Sequence, residues 1–224
     1  MSAPAALRTA FLALCAVDLV ALLADVHAVH VAVKPLLMLV LLAHVIARGG
    51  PRLLCGAVLF GWGGDVLLLF DDDLAFLAGM GSFAAGHVCY LLLFKRLGTP
   101  RARGTMLGVV YCVVLVNTVA ALWPDLPADL RIPVAAYSVL LTAMAYGSSR
   151  LGKVAGIGGA LFLLSDTLIA MGVAEWPALP RPDFWVMLTY VAAQYLLVQG
   201  ALEERTTHGA AYGEERAETR PTPH

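Results

Sequence analysis

Apolar stretches of 17 to 21 residues recur along this chain, separated by short polar segments. An α-helix of about 20 apolar residues crosses the hydrocarbon core of a bilayer. Because lipid offers the backbone no hydrogen-bond partners, such segments fold as helices that satisfy their own polar groups. Charged residues make up 14% of the chain, against about 25% in soluble domains. The sequence therefore predicts an all-α, polytopic membrane bundle.

Charges, prolines and glycines divide the chain into eight predicted transmembrane spans. Asp18 lies in the apolar centre of the first stretch, and Arg8 is the only basic residue before it. We therefore interpret this stretch as a retained span and not as a cleaved signal peptide. The transmembrane domain is predicted over 1–203, and the polar segment 204–224 is predicted to be a disordered cytoplasmic tail. The predicted spans are 7–24, 31–47, 53–70, 74–94, 104–122, 132–149, 154–174 and 184–202.

Basic residues are concentrated at one end of the predicted bundle. Ten Lys and Arg residues fall on the side of the termini, and three, Lys34, Arg131 and Arg181, fall on the other side. Cytoplasmic loops of membrane proteins carry an excess of Lys and Arg. We therefore predict that both termini are cytoplasmic. The Arg- and Ala-rich composition indicates a bacterial plasma membrane.

The two halves of the chain, about 7–94 and 104–202, resemble one another. Four features recur in the same order, and an even number of spans per half predicts two four-helix repeats that run parallel in the membrane. The recurrence places Asp65 and Asp166 at similar depth in the outer half of the bilayer. The paired residues are Asp18 with Asn117, Pro35 with Pro133, Asp65 with Asp166, and His87 with Gln194.

Asp65 and Asp166 are the strongest candidates for chemistry. An aspartate near the middle of a transmembrane helix costs about 2.5–3.5 kcal/mol on insertion scales, so it normally faces a partner or a wet cavity. The runs 61–64 and 156–159, rich in glycine, precede the two aspartates and allow helices to approach closely or leave room for a ligand. Two carboxylates at one depth repel unless one is protonated, which suits an acid and a base. The alternative is that they only hold helices together.

The other polar residues of the spans have a structural and a functional interpretation. Asp18 and Asn117 are expected to form a supporting pair between helices, and His87 is a partner for either candidate aspartate or a satisfied core histidine. Lys34 either extends towards the interface or holds a lipid phosphate. His27 and His30 are predicted to be solvated in an outer loop.

Some classes of site and partner fit this sequence poorly. All four cysteines lie inside apolar stretches, so no disulfide framework is expected. Zinc requires about three converging ligands, and the spans hold no HxxxH or HExxH pair, so we expect no metal. A chain this apolar offers no basic face for nucleic acid. The oligomeric state stays open.

Several motifs together resemble the YhhN family of membrane proteins, over about residues 7 to 202. The Gly-Asp and Phe-x-x-Ser-Asp elements are the most specific of them. The motifs are Lys34-Pro35-Leu-Leu, Phe60 followed by Gly64-Asp65, Phe83-x-x-Gly-His87-x-x-Tyr90, Gly158-Gly-Ala-Leu-Phe162-x-x-Ser165-Asp166, and Tyr190-x-x-Ala-Gln194.

The resemblance implies an enzyme of lipid metabolism that hydrolyses the vinyl-ether bond of a lysoplasmalogen, with no cofactor. The products are a fatty aldehyde and glycerophosphoethanolamine or glycerophosphocholine. Our hypothesis makes Asp166 the acid and Asp65 the base, although the sequence does not decide between them. Lys34 is expected to meet the phosphate, and the residues expected to orient water and the glycerol hydroxyl are His87, Tyr90, Ser165, Tyr190 and Gln194. The alternative function is a lipid or small-molecule transporter built from parallel repeats.

Overall fold

The computed structural model describes residues 2–98 and 104–218. Within these ranges the chain forms eight α-helices, one short 3-10 turn at Ser149–Leu151, and no β-strand. The helices are α1 (Ala3–Leu23), α2 (His27–Ala47), α3 (Arg52–Leu67), α4 (Asp73–Leu97), α5 (Gly104–Leu122), α6 (Arg131–Ser148), α7 (Lys153–Val173) and α8 (Pro182–Glu218).

The predicted all-α membrane bundle is confirmed. Seven helices in the described residues are long and apolar enough to cross a membrane. The helix α3 has 16 residues and spans about 24 Å at 1.5 Å per residue, slightly less than a typical hydrocarbon core of about 30 Å. The helix α8 continues past the predicted end at 202 to Glu218, so the boundary between transmembrane domain and disordered tail stays a prediction.

The helix α8 lies at the centre of the bundle. It packs most extensively on α7 and also contacts α1, α2, α3 and α4. Consecutive helices pack on one another throughout each half, and α4 joins the halves by packing on α6. The helix α5 lies at the periphery, where it packs on α6 and α7 and leaves most of its surface exposed. In both halves, then, each helix packs on the next one along the chain. The predicted repeat itself stays a prediction.

The loops α1–α2, α3–α4, α5–α6 and α7–α8 lie together at one end of the bundle. Arg181 in the last of these loops forms an ion pair with Asp25 in the first, at 2.7 Å. The Trp176 indole N–H donates to Asp125, also at 2.7 Å, and joins the α7–α8 and α5–α6 loops. We call this the acidic end, because the sequence places most of the loop aspartates there.

Glycines allow the helices beside α8 to approach it closely. A Cβ atom added at Gly158 of α7 would lie 2.9 Å from the Leu197 backbone nitrogen and 3.0 Å from the Ala193 carbonyl oxygen, both in α8. These neighbours are backbone atoms that cannot rotate away. Gly172, on the same helix, has nothing within 4 Å of its added Cβ.

Replacing each of these two glycines by alanine separates the effect of helix packing on stability from the effect of helix propensity. We expect Gly158→Ala to lower the free energy of unfolding by about 1–3 kcal/mol, because the methyl group overpacks the α7–α8 interface. Gly172→Ala is the matched control, and we expect it to be neutral or stabilising by up to about 1 kcal/mol, since alanine favours a helix. Unfolding in detergent monitored by circular dichroism measures both variants. Equal stability of the two variants would contradict the close packing.

Candidate active site

Several buried or half-buried polar residues, including both candidate aspartates, lie in a layer near the acidic end of the bundle. Asp65 lies in the last turn of α3, and Asp166 lies about two turns before the end of α7. Both therefore occupy the half of the bundle nearer the acidic end, as the sequence predicted for the pair.

Asp65 ends a chain of hydrogen bonds that joins α3, α8 and α4. The Tyr190 hydroxyl donates to Asp65 Oδ2 at 2.7 Å and accepts from Gln194 Nε2 at 3.3 Å. The Tyr90 hydroxyl donates to Gln194 Oε1 at 2.8 Å. All four residues are buried. A Cβ atom added at Gly61 would lie 2.8 Å from Gln194 Nε2, so the glycine run before Asp65 admits this network.

Asp166 ends a second chain that joins α7, α6 and α4. The Tyr137 hydroxyl makes a short hydrogen bond to Asp166 Oδ2. The same hydroxyl lies 3.0 Å from His87 Nε2. The structure therefore brings His87 to Asp166 through Tyr137. Tyr137 was not identified as a site residue from the sequence. The signal that could have identified it is a tyrosine hydroxyl near the middle of a span, because that position lets it reach the layer of the aspartates.

Aromatic rings occupy the space between the two chains. Phe162 lies edge-on to His87 with ring centroids 4.8 Å apart, and edge-on to Tyr190 at 5.5 Å. Phe83 lies edge-on to Tyr190 at 5.9 Å. A Cβ atom at Gly64, next to Asp65, would lie 2.4 Å from the Phe83 ring. Phe83 therefore covers the segment that carries Asp65.

An apolar pocket, part of it open to the surroundings, lies between α4, α5, α6 and α7. Asp166, Tyr137 and Phe83 line it, and Asp65 does not. The Thr142 hydroxyl also belongs to this wall and has no hydrogen-bond partner among the residues that the structure describes. Of the two candidate aspartates, Asp166 is therefore the one in direct reach of a ligand in this pocket.

A small apolar cluster closes the pocket at the acidic end. Its buried members include Leu122, Leu126 and Leu130, from the end of α5 and the α5–α6 loop. Arg131 holds this loop by donating to the carbonyl oxygens of Leu126 and Pro124, each at 3.1 Å. In the described part of the chain α4 and α5 do not pack along each other. The pocket is thus capped by the loop and bounded by lipid-facing helices at its side.

Asp18 and His30 form a buried pair that the sequence did not predict. His30 Nδ1 lies 2.8 Å from Asp18 Oδ1. The prediction that His30 is solvated in a loop is wrong, because α2 begins at His27 and turns His30 towards α1. The second oxygen, Asp18 Oδ2, is buried with no partner in residues 2–98 and 104–218. Lys34, on the same helix as His30, is half-buried.

Two further predicted site residues donate to backbone carbonyl oxygens and not to either aspartate. Asn117 does not meet Asp18, because it faces outward on the exposed surface of α5 and donates to the Val113 carbonyl oxygen at 2.8 Å. The predicted Asp18–Asn117 pair is therefore wrong. Ser165 is buried and donates to the Val186 carbonyl oxygen at 3.0 Å. This bond joins α7 to α8 and engages the hydroxyl that was expected to orient water.

The Asp18–His30 pair is expected to stabilise the fold. Asp18→Ala leaves a buried imidazole nitrogen without its partner, so we expect the free energy of unfolding to fall by about 1–3 kcal/mol. Asp25→Asn is the matched control, since it removes the exposed ion pair with Arg181, a type that contributes about 0–1 kcal/mol. Asparagine also tolerates the positive φ of 62° at this position. Detergent unfolding curves measure both, and an Asp18→Ala midpoint equal to that of Asp25→Asn would refute the assignment.

Fold and site together define an integral, multi-pass membrane protein with a carboxyl group in the wall of an apolar pocket. A sequence model of the YhhN family matches residues 29–201, and the chain belongs to that family. The predicted family resemblance is confirmed.

Named relatives agree with this assignment. Lysoplasmalogenase TMEM86B of Sus scrofa is 36% identical over 170 residues, which cover 73% of this chain and 70% of the relative. A lysoplasmalogenase of Mycobacterium bovis is 35% identical, covering 70% of this chain and 63% of the relative. Lysoplasmalogenase TMEM86A of Homo sapiens is 31% identical, covering 74% and 70%. No solved structure matches the chain.

Proposed function

We propose that this protein is a membrane hydrolase of the lysoplasmalogenase type, which cleaves the vinyl-ether bond of a lysophospholipid. The observation that carries the proposal is Asp166, a carboxyl group hydrogen-bonded by Tyr137 in the wall of an apolar pocket. Relatives at 30–36% identity named lysoplasmalogenase support the same reaction.

The pocket suits the single hydrocarbon chain of such a lipid. Its lining is almost entirely apolar, with leucine, valine and phenylalanine side chains from four helices. Apolar lining with a few placed polar groups is typical of small-molecule sites. With the alkenyl chain in this pocket, the vinyl-ether carbons lie beside Asp166. The unpartnered hydroxyl of Thr142 is available to a water molecule in the same space.

The reaction begins with a proton at carbon. Asp166 in its protonated form delivers a proton to the double-bond carbon farther from the ether oxygen, and an oxocarbenium ion forms. Asp166, now ionised, accepts a proton from a water molecule as the water oxygen bonds to the cationic carbon. The resulting hemiacetal collapses to the aldehyde and the glycerol hydroxyl. A positioned carboxyl group that acts first as acid and then as base contributes about 10²–10⁴-fold to such a step.

Asp65 serves the same reaction through its charge. Its Oδ2 atom accepts from Tyr190, and we assign Asp65 the ionised role. From behind Phe83 the negative charge stabilises the oxocarbenium ion, because a fixed charge acts strongly in a site of low dielectric constant. The division into one proton-donating and one ionised aspartate is retained from the sequence hypothesis, while the base for water becomes Asp166.

The location of the protein in the cell is part of the proposal. The excess of basic residues at the end opposite the acidic loops supports cytoplasmic termini, and the composition supports a bacterial plasma membrane. The polar layer then lies in the outer half of the bilayer. Lys34, half-buried in α2, is retained from the sequence hypothesis as the contact of the lipid phosphate.

Purified protein is expected to release aldehyde from lysoplasmenylethanolamine in detergent micelles. Asp166→Asn keeps the shape and removes the transferable proton, so we expect kcat to fall about 10²–10⁴-fold. Asp65→Asn is expected to lower kcat too, by loss of the stabilising charge. Asp129→Asn, in the exposed α5–α6 loop, is the control and should keep full activity.

If the folded asparagine variant at either position retains wild-type kcat, that aspartate has no part in the mechanism. If the wild type releases no aldehyde from any vinyl-ether lysolipid, the proposed reaction itself is wrong. Solute uptake by proteoliposomes without any product would then favour the transporter.

A bulky residue in the pocket is expected to block the lipid chain. Leu115 of α5 lines the pocket, whereas its neighbour Val116 is 65% exposed on the outer face. Leu115→Trp should lower kcat/KM for a long-chain substrate at least about tenfold, because the indole fills space that the chain needs. Val116→Trp is the matched control and should behave as wild type. Equal kcat/KM for the two variants would place the chain elsewhere.

A further inference from the structure

The hydroxyl of Tyr137 has one proton, and the geometry determines where that proton points. The hydroxyl contacts two groups, Asp166 Oδ2 and His87 Nε2. A tyrosine hydroxyl donates once and accepts once in such an arrangement. The hydrogen bond is assigned from the Tyr137 hydroxyl to Asp166 Oδ2, which makes Oδ2 the unprotonated oxygen of the carboxyl group. The contact at 3.0 Å to His87 is then an N–H donated by the histidine to the tyrosine oxygen.

His87 is consequently the neutral tautomer with its proton on Nε2. Its other nitrogen, Nδ1, is buried and has no hydrogen-bond partner in the described ranges. A protonated Nδ1 would leave a donor unsatisfied in a ring that is 1% exposed, which is more costly than an unshared lone pair. The tautomer is thus assigned from the hydrogen-bond network.

In the chain of hydrogen bonds that ends at Asp65, the donors and acceptors follow one another in the same order. Gln194 Nε2 donates to the Tyr190 oxygen, and Tyr190 donates to Asp65 Oδ2. The direction of the amide is fixed there, because Gln194 Oε1 accepts from Tyr90. His87 and Gln194 are also the residues that the internal sequence match pairs with each other. Each aspartate therefore accepts a tyrosine hydroxyl whose oxygen is held by an N–H donor from α4 or α8.

We infer that His87 and Tyr137 are positioning residues for the proposed hydrolysis, which together fix the carboxyl group of Asp166 for proton delivery. With Oδ2 occupied by Tyr137, the transferable proton resides on Oδ1. No donor among the described residues contacts that oxygen, and Asp166 faces the pocket. Neither residue exchanges a proton with the substrate. Their role is to hold one oxygen as an acceptor, so that the other oxygen presents its proton to carbon.

The experiment compares variants that keep or remove one donor at a time, on purified full-length protein with lysoplasmenylethanolamine as the probe. Tyr137→Phe removes the hydroxyl and keeps the ring, so kcat should fall about 10²-fold, while KM stays within about twofold because the chain still fits the pocket. Tyr111→Phe, a hydroxyl removed from α5 outside the pocket, is the matched control and should retain wild-type kcat.

Two substitutions at His87 separate orientation from packing. The amide nitrogen of glutamine reaches the position of Nε2, as Gln194 does beside Tyr190, so His87→Gln should retain kcat within about tenfold. His87→Leu fills similar space without a donor, and its kcat should fall as far as that of Tyr137→Phe.

Three results would overturn the inference while the wild type remains active. They are wild-type kcat in Tyr137→Phe, equal losses in His87→Gln and His87→Leu, or a loss confined to KM. An inactive wild type would instead refute the proposed reaction, so the two failures are distinguishable. Circular dichroism melting of each variant in detergent identifies any variant that fails to fold. If Tyr137→Phe does not fold, the comparison of kcat between His87→Gln and His87→Leu tests the inference.

Discussion

The structure depends on the need to satisfy carboxyl groups inside a bilayer. A buried aspartate without partners is costly in lipid. Close to one end of the bundle this chain buries Asp18 and Asp65 and half-buries Asp166. Each is held by one donor from another helix: His30, Tyr190 and Tyr137 respectively. These bonds tie α1 to α2, α3 to α8, and α7 to α6. The same interactions that make the carboxyl groups tolerable therefore also determine which helices are neighbours.

The pocket arises where the two halves of the chain differ. In the first half, α1 packs on α2, to which the Asp18–His30 pair joins it, and it also reaches α8. In the second half, α5 packs on α6 and α7 but not along α4 in the described residues. The space left beside Asp166 is the pocket. One aspartate thus meets a cavity while the other is enclosed by protein, and that difference gives two similar residues different roles in the proposed reaction.

Much of this arrangement was predictable from the sequence, and the failures have physical causes. Asp65, Asp166, His87, Tyr90, Tyr190 and Gln194 were all expected near one another. The structure connects Asp65 to Tyr190, Gln194 and Tyr90, and it connects Asp166 to His87 through Tyr137. Asn117 was paired with Asp18 because the two match in the repeat. A helix can rotate about its axis without changing its sequence match, and α5 turns Asn117 outward.

The sequence by itself determined the helices, the membrane setting, the family and the aspartates, because these depend on the hydrophobicity, length and residue identity of local segments. Only the tertiary structure decided that Tyr137 joins His87 to Asp166 and that Asp166 lines the pocket while Asp65 does not. Those facts depend on how far α5 lies from α4 and on how each helix is rotated. Helix rotation and spacing follow from side-chain packing between distant segments, and no local pattern encodes that packing.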